Sequence, residues 1–254
     1  MTNRVNPDSK WFANEAFWEW SFPFMFPAQR FEQATQEVQQ LMQLSGVDGG
    51  AMLDLACGPG RHSVALARRG FDVTGVDRSA FLLNHARHYA EAEGVSVEWL
   101  EEDMRAFRRV DTYNLAISIF TSFGYFESAE ENQQVLENVR ACLKPSGKCV
   151  IHVLGKEPLA HKFVATEVKE LDDDGLLIQH RRIIEDWSRL RADWIVVRAS
   201  LAERFSFCVW IYSGSELRQM LLDAGFGSVE LYGSLEGSPY DLYASRLVAV
   251  ATKS

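Results

Sequence analysis

The stretch Leu53-Asp54-Leu55-Ala56-Cys57-Gly58-Pro59-Gly60-Arg61-His62 decides the fold. A short apolar run, Ala51–Cys57, reads as a buried strand; two glycines then let the backbone turn sharply, and a helix is expected over Arg61–Arg69. A ligand can lie against such a loop at the carboxyl edge of a sheet. A dinucleotide fingerprint would place a third glycine at position 63, where this chain has Ser63, with Pro59 between the first two. Both departures weaken a nicotinamide reading.

Outward from this stretch, strands and helices alternate. Strands are expected at Phe71–Val76, Val95–Leu100, Asn114–Phe120 and Lys148–Leu154, with helices at Ser79–Glu93 and Glu130–Leu143 between them. Alternation at this spacing implies right-handed βαβ crossovers and a largely parallel sheet covered on both faces. From about residue 160 the pattern turns antiparallel: Phe163–Leu171, Leu176–Trp187, Trp194–Leu201 and Phe205–Tyr212 read as successive strands, with Asp173-Asp174-Gly175 as a hairpin turn. A capping box at Ser213–Glu216 starts another helix that stops at Gly225, and strands at Ser228–Tyr232 and Arg246–Ala251 follow. The expected organisation is an N-terminal cover over residues 1–48, a ligand-binding domain over 49–158 and 213–254, and an inserted antiparallel β cap over 159–212.

Two strand ends beyond the glycine loop carry carboxylates. Asp77 closes Val73-Thr-Gly-Val-Asp77 and suits the paired hydroxyls of a ribose, in either a nicotinamide or an adenosyl cofactor. Asp103, in Glu101-Glu102-Asp103-Met104, can accept from an adenine amino group while Met104 lies against the ring. The three strand ends together are far more specific than any one.

With these residues in view, the sequence resembles the class I S-adenosylmethionine-dependent methyltransferases. The likeness rests on residues 53–62, 73–77, Glu-Asp-Met-Arg (102–105) and Leu-Lys-Pro-Ser-Gly-Lys (143–148), with Leu-Leu-Asp-Ala-Gly-Phe (221–226) and Arg-Leu-Val-Ala-Val-Ala (246–251) in support. It implies a Rossmann-like seven-stranded, mostly parallel sheet with an antiparallel last strand. The expected cofactor is S-adenosylmethionine, leaving as S-adenosylhomocysteine, held by Asp54, Gly58, Gly60, Arg61, His62, Asp77, Arg78, Glu102, Asp103, Met104 and Phe120. Arg61 or His62 is expected near the methionine moiety. The loop Phe120-Thr-Ser-Phe-Gly-Tyr-Phe126 resembles that of the small-molecule N-methyltransferase branch, which makes an amine nitrogen the expected acceptor. Tyr125 and His152 are the candidate proton-handling groups. Trp11, Trp18, Ser122, Tyr125 and Arg182 are the candidate acceptor contacts. Competing readings are RNA-directed or O-directed methylation, a nicotinamide-dependent oxidoreductase, and a non-catalytic S-adenosylmethionine-binding module.

Composition bounds the partners. Lys and Arg total 26 against 35 Asp and Glu over 254 residues, a net charge of −9 that disfavours nucleic acid. No apolar run is long enough for a membrane span and the first ten residues are polar, so a cytoplasmic location is expected. Cys57, Cys142, Cys149 and Cys208 form no metal-type spacing, so no metal is expected. Half of the sixteen positions from Trp11 to Phe26 are Phe or Trp, too much apolar surface to leave in water. The segment is expected to close over the cleft; it or the inserted sheet is also the expected contact of a homodimer.

Overall fold

The computed structural model describes residues 10–172 and 174–254. Residues 1–9 of the expected cover, and Asp173 of the acidic turn, lie outside the described residues.

Strands β1 (Ala51–Leu55), β2 (Asp72–Asp77), β3 (Glu98–Glu101), β4 (Tyr113–Ser118), β5 (Leu143–Val153), β10 (Phe226–Tyr232) and β11 (Leu247–Lys253) form one sheet in the order β10-β11-β5-β4-β1-β2-β3. β11 runs antiparallel to both neighbours, and the β1, β2, β3, β4 and β5 pairings are parallel. The order reverses between β1 and β4, which opens a crevice at their carboxyl ends. The expected seven-stranded sheet is therefore present.

Apolar periodicity assigns the helices to the two faces. Ala34, Val38 and Leu41 of α2 (Ala28–Ser45) and Leu66 of α3 (Arg61–Ala67) are fully buried on one face. Each Val or Leu so buried contributes about 1.5–3 kcal/mol. Val135, Leu136 and Val139 of α5 (Ala129–Cys142), with Leu217 and Leu221 of α7 (Gly214–Asp223), cover the other. Ser79 caps α4 (Ala80–Ala92), and the capping boxes Ser128/Glu131 and Ser213/Glu216 start α5 and α7.

The second sheet, β6 (Thr166–Glu170), β7 (Leu176–Ile184), β8 (Arg189–Arg198) and β9 (Leu201–Trp210), is a four-stranded antiparallel meander. Its start differs from the sequence reading, because a helix, α6 (Lys156–Lys162), precedes β6. Its turns also fall earlier than expected. Glu185, Asp186 and Trp187 (φ 52°, 52° and 68°) and Ala199 (φ 50°) hold left-handed backbone without a glycine to mark them. In β5 the Lys-Pro-Ser-Gly segment is no free turn: pairing jumps from Tyr113↔Leu143 to Leu115↔Lys148, and Ser146 takes φ 61° inside the irregularity.

The aromatic segment folds as a 3-10 turn (Trp11–Ala13) followed by α1 (Glu15–Met25), capped by the side chain of Asn14. Phe17 and Trp18 are buried, and Phe17 packs on Trp194, Phe205 and Phe207 of the second sheet. Among the described residues no helix is long and apolar enough to cross a membrane.

Candidate active site

The glycine loop is shaped by three left-handed residues, Ala56 (φ 58°), Gly58 (φ 56°) and Gly60 (φ 78°). The backbone N–H of Gly58 donates to Oδ2 of Asp77 at 2.8 Å, and the N–H of Ser79 donates to Oδ1 at 2.9 Å. Asp77 thus joins the loop after β1 to the start of α4. Burial pushes its carboxyl up to about 6 although both backbone donors pull the other way. Each oxygen keeps a lone pair for a further donor.

Deeper in the loop, Ser63 donates to Asp54 at 2.6 Å, so the residue that breaks the dinucleotide fingerprint satisfies a buried carboxylate. Arg61 and His62 begin α3 and both turn toward Glu37 of α2: Arg61 pairs with its carboxylate, and His62 Nε2 lies 2.9 Å from it. Burial alone would raise Glu37, but His62 and Arg61 hold it down at about 2. Burial and the Arg61 charge lower His62, which leaves the imidazole neutral and donating. The second terminal nitrogen of Arg61, Nη2, is buried without a partner among the described residues. A free buried guanidinium N–H at a helix start suits a carboxylate.

Asp103 lies past β3, where Arg105 donates to both its oxygens (2.9 and 2.6 Å) and Arg78 to Oδ2 at 3.0 Å. Burial would raise this carboxyl, yet the Arg105 bonds keep it below its usual range and ionised.

A cleft with about 890 Å³ of empty space gathers most of the expected cofactor residues: Asp54, Gly58, Arg61, His62, Asp77, Arg78, Glu102, Asp103, Met104 and Phe120 line it, with Trp18, Ser122 and Tyr125. Phe12, Met25 and Phe26 of the N-terminal segment also line it. Glu15 fastens α1 over the cleft by accepting from Ser79 Oγ (2.8 Å) and Phe81 N–H (3.2 Å). Phe120 and Tyr125 are shared with a second chamber of about 670 Å³, walled by Trp11, Phe17, Leu190, Trp194, Phe207 and Val209. Trp11 stacks obliquely on Tyr125 at 4.6 Å, and its buried Nε1 has no partner among the described residues.

Three expected residues lie elsewhere. Gly60 does not line the cleft; a Cβ there would stand 2.6 Å from Trp99 and 2.9 Å from Ala86, so its requirement is packing under the loop. His152 lines neither chamber: its Nδ1 accepts the Phe120 N–H at 3.1 Å, and burial, joined by the Arg246 charge, lowers it to about 3. An imidazole committed to a backbone donor is not free to take a proton from an acceptor. Arg182 sits on the exposed side of the second sheet, 3.6 Å from Asp193, away from both cavities. Conversely, Glu15, Arg30, Glu37 and Arg246 reach the site from ordinary-looking helix or strand positions, with no local motif to single them out.

Residues 52–147 match the family described as methyltransferase domain. A ubiquinone biosynthesis O-methyltransferase of Coxiella burnetii (strain Dugway 5J108-111) is 30% identical over 126 residues, 50% of this chain and 51% of that protein. The chain spans about half the length of the curated relatives it matches. Among solved structures, the CcbJ methyltransferase from Streptomyces caelestis superposes with TM-score 0.75 at 20% identity, covering 87% of this chain and 95% of that one. An amino pentose methyltransferase from Micromonospora echinaspora, with S-adenosylmethionine bound, gives TM-score 0.67 at 20% identity, covering 94% and 97%. At such identities the likeness is one of fold.

Proposed function

We propose that the chain, whose residues 52–147 match a methyltransferase domain in a fold shared with solved methyltransferases, is a class I S-adenosylmethionine-dependent methyltransferase that moves a methyl group from S-adenosylmethionine to an amine nitrogen of a small molecule. The observation that carries this reading is a pair of adjacent cavities that share Met25, Phe120 and Tyr125 in their walls. One has hydrogen-bonding groups suited to an adenosyl amino acid, and the other is an aromatic chamber on the opposite side of Phe120 and Tyr125.

The residues fit the cofactor group by group. Asp77 has lone pairs for ribose hydroxyls, Asp103 and Met104 line the cleft where an adenine amino group and ring would suit them, and the unpartnered Arg61 Nη2 suits the carboxylate of the methionine moiety. When bound, the cofactor supplies an electrophilic methyl on a sulfonium, a leaving group that needs no protonation. The protein's work is then alignment and exclusion of water. α1, held to α4 through Glu15, roofs the cleft, and Trp11, Phe17 and Phe207 dry the chamber.

Nitrogen is favoured over oxygen by how the chamber handles protons. Its described lining includes no carboxylate or imidazole, and burial drives the Tyr125 phenol well above its usual value. An alcohol would find no base there. An amine needs none, because desolvation lowers an ammonium pKa and favours the neutral nucleophile. We read residues 1–48 as the cover, 49–158 and 213–254 as the methyltransferase domain and 159–212 as the cap. The four free cysteines suit a reducing, cytoplasmic compartment.

The test is calorimetric titration with S-adenosylmethionine and S-adenosylhomocysteine, followed by a screen of primary and secondary amines with a methyl-labelled cofactor. Cofactor binding with label transferred to an amine supports the reading. Absence of binding, or tight NADH binding instead, overturns it.

A further inference from the structure

Beside the aromatic chamber runs an open groove between the α1–α2 junction and the second sheet, with about 1800 Å³ of empty space. Arg246, just before β11, lines both groove and chamber, and Arg30 of α2 lines the groove with its guanidinium 4.8 Å over the Phe120 ring. Arg246 spends one hydrogen bond on the Ser245 carbonyl at 2.9 Å. Among the described residues neither guanidinium is in an ion pair, whereas Arg61 and Arg78, which line the neighbouring cleft, both are. Glu170 and Asp172 also line the groove without pairing to either.

Two like charges brought together without a counter-charge raise each other's energy, and burial increases the cost. Arg246 registers both effects: burial, then the Arg30 charge, lower its pKa. Such a pair persists where an anion completes it, and two guanidiniums present the forked donors that planar carboxylates and phosphates accept.

We propose that the methyl acceptor carries an anionic group, a carboxylate or a phosphate, held between Arg30 and Arg246 at the mouth of the aromatic chamber. This rests on the chamber being the acceptor site. It makes the two arginines specificity-determining: they fix one end of the acceptor in the groove while its amine lies against Tyr125 and Trp11. The same positive charges help keep that amine neutral, since a nearby cation disfavours an ammonium.

The test uses the full chain, with and without S-adenosylhomocysteine, titrated by NMR with benzoate, phenyl phosphate and the neutral analogue benzyl alcohol. At least one anion should bind about tenfold more tightly than the alcohol. Arg246→Gln and Arg30→Gln should each remove most of that preference while leaving S-adenosylhomocysteine affinity unchanged. Benzoate against phenyl phosphate tells carboxylate from phosphate. Equal binding of alcohol and both anions, or a preference that survives in both variants, overturns the proposal. Arg30 is half-exposed, so its variant serves if Arg246→Gln unfolds. Failure of the wild type to bind S-adenosylhomocysteine would sink the methyltransferase reading separately, because the anion preference is also measured without it.

Discussion

His152 holds Phe120 by its backbone: Nδ1 accepts the Phe120 N–H at 3.1 Å, and the His152 carbonyl accepts the Thr121 N–H at 2.9 Å. Phe120 and Thr121 are both left-handed, at φ 66° and 65°. A non-glycine residue in that conformation costs about 1–2 kcal/mol, so two in succession need an external clamp. β5 supplies it from the next strand.

Removal of the clamp should therefore cost alignment without altering proton transfer. His152→Leu is expected to lower methyl-transfer turnover about tenfold, with a lower melting temperature. His152→Asn, which offers a carbonyl oxygen near the Nδ1 position, should recover much of both. Because the native imidazole is neutral far below physiological pH, the pH–rate profile from about pH 6 to 9 should keep its shape in the Asn variant. An acid-side limb of the native profile that disappears in that variant would restore His152 as a base.

Asp77 sets a pH dependence on cofactor binding. Its folded carboxyl titrates at about 6, above the unfolded 3.8, so in the empty protein its contribution to stability is present at low pH and lost as pH rises through 6. In the proposed complex, ribose hydroxyls donating to the ionised form would reverse that preference. S-adenosylhomocysteine affinity should be about tenfold weaker near pH 5 than near pH 7.5, with protons released on binding at the lower pH. Asp77→Ala should weaken binding by about 1–3 kcal/mol at neutral pH. Calorimetry in two buffers of different ionisation enthalpy measures both, and unchanged affinity in Asp77→Ala would exclude a ribose contact.

The parts of the site that were legible in the sequence are those built within a few residues of a strand end. Asp54, Asp77 and Asp103 each follow a short apolar run, and the parallel sheet brings their strand ends to one edge without further information. Glu37 and Arg246 were not legible, because each arrives at the site from a distant part of the chain: one on a helix face, one in the loop just before the last strand. His152 misled for a related reason. Its place near the carboxyl end of β5 was legible, but the direction of Nδ1 depends on the loop from β4, which only the folded chain brings there. The hairpin ends differ from the sequence pattern where left-handed residues such as Trp187 and Ala199 replace the glycine that usually signals a turn.

Glu37 should govern acid stability. Its carboxylate is held at about 2 against 4.5 in the unfolded chain, so the stability it contributes is fully present above 4.5 and is lost as pH falls toward 2. With the side chain 22% exposed, the difference amounts to about 3 kcal/mol at neutral pH. Glu37→Gln strips the charge from beside Arg61 and should lower the melting temperature at about pH 7, with a much smaller deficit near pH 3. Equal deficits at the two pH values would mean that packing, and not the ion pair, is what Glu37 contributes.

Tyr125 separates orientation from proton transfer. The ring lies at the boundary of the two cavities, against Trp11 at 4.6 Å, and burial pushes its hydroxyl well above the usual phenol range. A phenol so raised stays protonated at neutral pH and can donate a hydrogen bond to, but not take a proton from, an incoming amine. Tyr125→Phe keeps the ring and removes only that bond. It should raise the acceptor KM about threefold to tenfold, leave kcat within about threefold and preserve the pH dependence. Tyr125→Ala empties the wall between cleft and chamber and should lower kcat as well, since it removes the ring proposed to align acceptor and methyl. Steady-state kinetics on the two variants distinguish the roles: a kcat loss in Tyr125→Phe as large as that in Tyr125→Ala would make the hydroxyl, and not the ring, the working part of this residue.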